Sequence, residues 1–220
     1  MKTSKTELVF ILDRSGSMSG LENDTIGGFN SMLSKQKNEP NECRLTTVLF
    51  DNVCEVLHDR IEINAANPLT GRDYFVRGST ALLDAIGISI NKIKAVQKNT
   101  AKDQRADKVL FVITTDGMEN ASKEFNYAKI KKMVESAKSK RGWEFIFLGA
   151  NIDSVEVAGR FGVAKNRAQN FRNDGKGLAL NYDVISETVS CYRAAPLNSK
   201  IDDEWGKKIQ TDYVNRKNGA

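Results

Sequence analysis

Two uninterrupted apolar runs, each closed by an acid among small polar residues, constrain this chain most. The first is Leu8-Val9-Phe10-Ile11-Leu12, which leads into Asp13-Arg14-Ser15-Gly16-Ser17. The second is Val109-Leu110-Phe111-Val112-Ile113, which leads through Thr114-Thr115 into Asp116-Gly117. A strand with one wet face alternates apolar and polar residues. A short run without alternation, bounded by turn residues, reads as a strand covered on both faces. Parallel strands buried in this way need crossover helices, which right-handed connections lay on both sides of the sheet. The expectation is an α/β sheet with acids at the carboxyl ends of its strands, where open sheets bind ligands.

The rest of the chain alternates in the same sense. The first strand spans Glu7 to Asp13, and Ile26, Phe29 and Leu33 then recur at helical spacing until Asn38-Glu39-Pro40-Asn41 stops them. Arg44 to Phe50 and Val53 to Leu57 read as a hairpin around Asp51-Asn52, so one edge strand should be antiparallel. His58 is expected at an exposed strand end, structural or solvated, with no catalytic partner in view. Asn64 to Gly78 is a loop-rich crossover, followed by a helix bearing Leu82, Ile86, Ile90 and Ile93. Ile130, Met133, Val134 and Ala137 mark a further helix, Trp143 to Leu148 a strand, and Val155 to Ala158 a short helix. A last short strand lies within Val163 to Phe171, before a helix carrying Leu178, Tyr182, Ile185, Val189 and Tyr192.

The loop after the first strand carries the chemistry. Asp13, Ser15 and Ser17 stand at alternate positions, so a tight turn can aim one carboxylate and two hydroxyls inward. Thr80 lies at the mouth of a helix and Asp116 at the end of the second apolar run. These are hard oxygen donors, suited to Mg²⁺ or Mn²⁺ and poorly suited to soft metals. Each has an ordinary structural alternative: Asp13, Ser79 or Thr80 as helix caps, and Asp116-Gly117 as a turn. Gly16, Gly78 and Gly117 each adjoin a candidate ligand, and Gly117 is the expected site of a positive φ. Asp84 is expected either to orient the metal shell from behind or to be solvated.

With these three segments in place, the chain resembles the von Willebrand factor type A family. That family's metal-ion-dependent adhesion site is an Asp-x-Ser-x-Ser loop, a distant Thr and a distant Asp. Asp13, Ser15 and Ser17 match the loop, Thr80 the threonine and Asp116 the last acid. The resemblance covers residues 6–193 and leaves 194–220 as a C-terminal tail outside it. It implies a Rossmann-like, doubly wound and mostly parallel six-stranded sheet, in the order 3-2-1-4-5-6, with helices on both faces. It also implies a protein-binding module rather than an enzyme, in which the bound ion accepts an acidic side chain from a partner protein, in a scaffold or assembly role.

The alternative is a Mg²⁺-dependent phosphoryl-transfer or hydrolytic enzyme using the same crevice. The sequence has no phosphate-binding glycine loop, and Ser15 stands where an Asp-x-Asp phosphatase would carry its second acid. A chain of 220 residues fits a single domain, and no run approaches a membrane span. The lack of a signal-peptide pattern and the three unpatterned cysteines (Cys43, Cys54 and Cys191) lead to an expectation of a reducing cytoplasm. The net charge of +5 sits on lysine-rich helix faces without the aromatic interleaving of a nucleic-acid binder. A monomer is the expected state. In the tail, Ile201, Trp205, Ile209 and Tyr213 recur every four residues and predict a short helix. Folding back onto its own domain is the favoured reading, with a partner-binding helix anchored by Trp205 as the other.

Overall fold

The computed structural model describes residues 4–218. Its six strands are β1 (Thr6–Asp13), β2 (Cys43–Phe50), β3 (Cys54–Glu62), β4 (Lys108–Thr115), β5 (Glu144–Gly149) and β6 (Ala168–Asn170). They form one sheet in the order β3-β2-β1-β4-β5-β6, as the resemblance implies. Every neighbouring pair is parallel except β2 and β3, whose antiparallel pairing follows from the Asp51-Asn52 turn. The helices are α1 (Glu22–Lys37), α2 (Leu82–Asn99), α3 (Tyr127–Arg141), α4 (Ser154–Arg160), α5 (Gly175–Ala194) and α6 (Lys207–Asn218).

All eight residues of β1 are buried because both of its faces are covered. Leu8, Phe10 and Leu12 pack with α1 and α5, whereas Val9 and Ile11 pack with α2, α3 and α4. Burying each such side chain contributes about 1.5–3 kcal/mol, which is why the first strand tolerates no alternation. In the parallel register Asp13 is level with Phe50 of β2, and Leu12 with Thr114 of β4. The carboxyl ends of β1 and β4 therefore lie side by side, and the acids that follow them share one crevice.

At the opposite end of the sheet, two buried cations close helix C-termini. Arg193 Nη1–H donates to the carbonyl of Gln36 at the end of α1 (2.7 Å), and its Nη2–H to that of Asn41 (2.5 Å). Lys108 Nζ–H donates to the carbonyls of Tyr192 (2.7 Å) and Arg193 (3.2 Å) at the end of α5. Positive charge at a helix C-terminus satisfies orphan carbonyls and opposes the helix dipole.

Two expectations need correction. His58 is not at a strand end, because β3 continues to Glu62 through an irregular register opposite Leu45–Val48. The irregularity keeps the imidazole inward, 3.0 Å from Thr47 Oγ1 and stacked on Phe29, so its role is structural. The tail helix begins only at Lys207, so Ile201 and Trp205 precede it in a turn-rich approach. Both are nonetheless buried, as is Ile209. Trp205 Nε1–H donates to the carbonyl of Asn166 (2.8 Å), and α6 packs on α5 and β6. Ile201, Trp205 and Ile209 thus cover the chain's own sheet and helix, whereas Leu197 and Val214 stay exposed.

Among the described residues, no helix is long and apolar enough to cross a membrane. The three cysteines are free: Cys43 is buried, Cys54 half-buried and Cys191 exposed.

Candidate metal centre

As β1 ends, Asp13 turns back on its own loop. Its Oδ1 accepts the Ser15 N–H (2.7 Å), which tightens the chain into the 3-10 turn Gly16–Met18. That turn leaves Ser15 Oγ and Ser17 Oγ 3.0 Å apart. Thr80 Oγ1–H donates to Ser15 Oγ (3.1 Å), and Ser17 Oγ–H donates to Asp116 Oδ1. The hydroxyls of Ser15, Ser17 and Thr80 and the Asp116 carboxylate thus form one chain of oxygens, which Asp13 joins through the Ser15 N–H, drawn from three distant parts of the chain.

The capping alternatives do not describe this arrangement. The N-cap residue of α2 is Ala81, which has no polar side chain to cap with, and the first N–H groups of the helix go instead to Glu119 and Ser122. Thr80 instead gives its main-chain N–H to Asn120 Oδ1 (2.9 Å), which leaves its hydroxyl facing the crevice. Asp84 is not free in solvent and acts on the main chain after Asp116. Its carboxylate accepts the main-chain N–H groups of Lys123, Glu124 and Phe125 at 2.8, 3.0 and 2.9 Å. Glu119 ties the same loop from the other side, accepting from Leu83 N–H (2.8 Å) and Ser122 N–H (2.7 Å). The two acids hold the segment after Asp116 against the N-terminus of α2, where negative charge is favoured.

Gly117 also departs from expectation. Among the described residues the positive-φ glycines are Gly20, Gly78, Gly142 and Gly162, and Gly117 is not one of them. Its requirement is close approach: a Cβ there would stand 3.1 Å from Ser17 Oγ and 3.5 Å from Thr80 Oγ1. Gly78, at φ +66°, does need left-handed backbone, and its carbonyl accepts the Gly16 N–H (3.2 Å).

Two contributors were not read from the sequence. Thr115 Oγ1–H donates to Asp13 Oδ2 (2.5 Å), and Asn173 Nδ2–H donates to Asp116 Oδ2 (3.3 Å). Thr115 is hidden in the apolar run of β4, where a threonine looks like ordinary strand filling. Asn173 comes from the loop before α5, and no local spacing ties it to Asp116.

The electrostatics suit a hard cation. Burial pushes the Asp13 carboxyl up to about 6, against the hydrogen bonds from Thr115 and Ser15 that favour its charged form. Burial raises Asp116 as well, against hydrogen bonds from Ser17 and Asn173. The nearest guanidinium faces elsewhere: Arg14 pairs with Asp51 (2.9 Å) and Glu55 (2.8 Å), and Arg77 also pairs with Asp51 (2.8 Å). The Phe75 ring rests against both guanidiniums, at 5.6 and 5.2 Å. Among the described residues no three His, Cys, Asp or Glu side chains converge, and the candidate donors are two carboxylates and three hydroxyls. Such a set fits Mg²⁺ or Mn²⁺, which accept oxygen ligands and retain water in the remaining positions.

No protein-family model and no curated protein matches the sequence. Solved structures do. The vWF domain of the type V pilus tip protein Mfa5 from Porphyromonas gingivalis superposes with a TM-score of 0.60. Sequence identity with it is 12%, over 92% of this chain and 100% of that one. A von Willebrand factor type A structure from Catenulispora acidiphila gives 0.56 at 12% identity, over 86% of this chain and 43% of the other.

The fold is that of a von Willebrand factor type A domain.

Proximal thread matrix protein 1 from the mussel byssus, with zinc in its MIDAS motif, shares the von Willebrand factor type A fold at a TM-score of 0.58. Identity there is 13%, over 86% of this chain and 46% of that one. The chain spans less than half the length of the mussel and Catenulispora structures. Identities this low speak for the von Willebrand factor type A fold alone.

Proposed function

We propose that the crevice is a metal-dependent adhesion site, at which Asp13, Ser15, Ser17, Thr80 and Asp116 hold Mg²⁺ or Mn²⁺. The observation that carries this reading is the convergence of their five side chains into one hydrogen-bonded cluster at the ends of β1 and β4. A bound divalent ion would supply an electrophilic position that a carboxylate from another protein can fill. Asp13 and Asp116 supply the negative charge, and Thr115 and Asn173 orient them. The hydroxyls of Ser15, Ser17 and Thr80 add donors without further charge, which leaves the ion receptive to an acidic partner. Met118, exposed next to Gly117 in the chain, offers apolar surface around that contact.

In this reading the chain is a binding module in a scaffold or assembly, acting as a monomer in a reducing cytoplasm, with residues 6–193 as the module and 194–220 as its C-terminal tail. The exposed thiol of Cys191 is in keeping with such a compartment. The solved structures of like fold include pilus and thread-matrix proteins, which supports binding over catalysis.

Titration calorimetry tests the site. One Mn²⁺ should bind the wild type, and Asp116→Ala should weaken it more than about a hundredfold, beyond the ~10–100-fold typical of residues that only support a ligand. Equal Mn²⁺ binding by a folded Asp116→Ala protein would remove the assignment. Steady phosphate release with Mg²⁺, abolished by Asp13→Ala, would instead establish the enzymatic alternative.

A further inference from the structure

Helix α3 carries Lys129, Lys131, Lys132, Lys138, Lys140 and Arg141 against one acid, Glu135. Its surplus of five positive charges equals the net charge of the whole chain. Beside it, α2 and α3 enclose a cleft of about 200 Å³. Ile90, Met133 and Trp143 form its apolar wall, and Lys94, Lys132 and Arg141 stand around it. The Arg141 guanidinium lies 5.9 Å from the centre of the Trp143 ring. Among the described residues these three cations make no ion pair. Lys92 on the same α2 does, with Asp59 at 2.7 Å.

The dimensions and the charge select an occupant. A hollow of this volume takes one apolar side chain, since a cavity of ~150 Å³ holds benzene, and it is smaller than the ~300–1,000 Å³ of a cofactor or drug site. The Trp143 ring is only 4% exposed, so it offers no aromatic face on which bases could stack. A polypeptide segment with an apolar residue among acids satisfies both the wall and the cations.

We propose that the α2–α3 cleft docks an acidic segment of a partner polypeptide, with one apolar side chain in the cleft and flanking carboxylates on Lys94, Lys132 and Arg141. This surface is separate from the metal crevice. Trp143 lies where β5 enters the sheet, whereas the crevice lies where strands leave it. The six residues of β5 separate these levels by about 20 Å. Two partners can therefore be held at once, one at each end of the sheet.

The test uses the full chain in EDTA and a fluorescein-labelled peptide with one leucine flanked by glutamates, followed by fluorescence anisotropy. Saturable binding is expected, weakened about tenfold by Lys94→Glu and again by Arg141→Glu, both exposed positions. Asp116→Ala should bind the peptide as wild type does, which separates this surface from the metal reading. With 5-fluorotryptophan in the protein, the peptide should shift the ¹⁹F resonance of Trp143 and leave that of Trp205 in place. The proposal is overturned by no saturable binding, by binding indifferent to the charge reversals, or by an unmoved Trp143 signal. It is equally overturned if a thymidine oligonucleotide or phosphatidylserine vesicles bind more tightly than the peptide.

Discussion

Gly117 has no room for a side chain on its crevice side. A methyl group there would press on Ser17 Oγ at 3.1 Å, tighter than ordinary contact, and the hydroxyl that must yield is a proposed ligand. Gly117→Ala should therefore weaken Mn²⁺ about tenfold while changing stability by less than about 1 kcal/mol. Gly142 is the useful contrast: it caps α3 at φ +68° with nothing within 4 Å of an added Cβ. Gly142→Ala should cost about 1–2 kcal/mol through left-handed backbone and leave Mn²⁺ untouched. Calorimetry beside urea denaturation reads both, and equal metal losses would mean that these glycines serve only their turns. His58, the one histidine, gives a second residue-level test. Burial holds its pKa below the ordinary 6.5, so the unfolded chain binds its proton more readily than the fold does. Stability from this group is intact above 6.5 and is lost as pH falls from there through the lowered folded value. The single imidazole Cε1 proton signal should accordingly titrate with a midpoint below 6.5; a midpoint at or above it contradicts the burial argument.

Helix α6 shows what an element can do when its propensity is modest. It lies along α5 and β6 and reaches back to the loop that carries Asn173. Arg216 pairs with Asp174 (2.6 Å), and the Arg172 guanidinium stands over the Tyr213 ring (5.2 Å). Emission from Trp205, isolated in a Trp143→Phe protein, should be blue-shifted and protected from iodide, and a fully exposed signal would show that the tail is undocked. Sequence pattern located this element but not its start, because Ile201 and Trp205 reach the apolar surface from a turn, where a four-residue spacing carries no helical meaning. The same limit applied to β3. Its bulged register breaks the period of two, and Arg60 at φ +49° lies inside what pattern alone had ended at Leu57. β1 and β4 were legible because burial on both faces permits only apolar residues. The meeting of Asp13, Ser15, Ser17, Thr80 and Asp116 was legible because all five are oxygen-bearing residues at strand and helix ends; that they hold an ion is the proposal. The choice between the two readings of Asp84 was not legible, because its partners are main-chain N–H groups, which leave no trace in side-chain spacing.

At the scale of the whole molecule the two ends of the sheet are built differently. Where strands enter, Arg193 and Lys108 bind main-chain carbonyls of α1, α5 and the segment after α1, and both cations are buried. Where strands leave, the segments around Ser15–Ser17 and Gly117–Glu124 are short turns and loops held by hydroxyls and carboxylates. Amide exchange should divide along that line. The exit loops open locally, whereas β1, β4 and the last turns of α1 and α5 exchange only when the whole fold opens. Mn²⁺ at 100 times its Kd adds about 2.7 kcal/mol, so exchange should slow about a hundredfold wherever opening releases the ion. That class contains the exit loops and the global core, but not the outer turns of α3 and α4. Mass-resolved exchange with Mn²⁺ and with EDTA checks this, and equal slowing in α3 and α4 would contradict it. The unequal ends also decide where adaptation is cheap. A binding surface that changes shape at the exit loops leaves the clamped C-termini of α1 and α5 undisturbed, so different contours can be accommodated there while the base of the molecule keeps a single geometry.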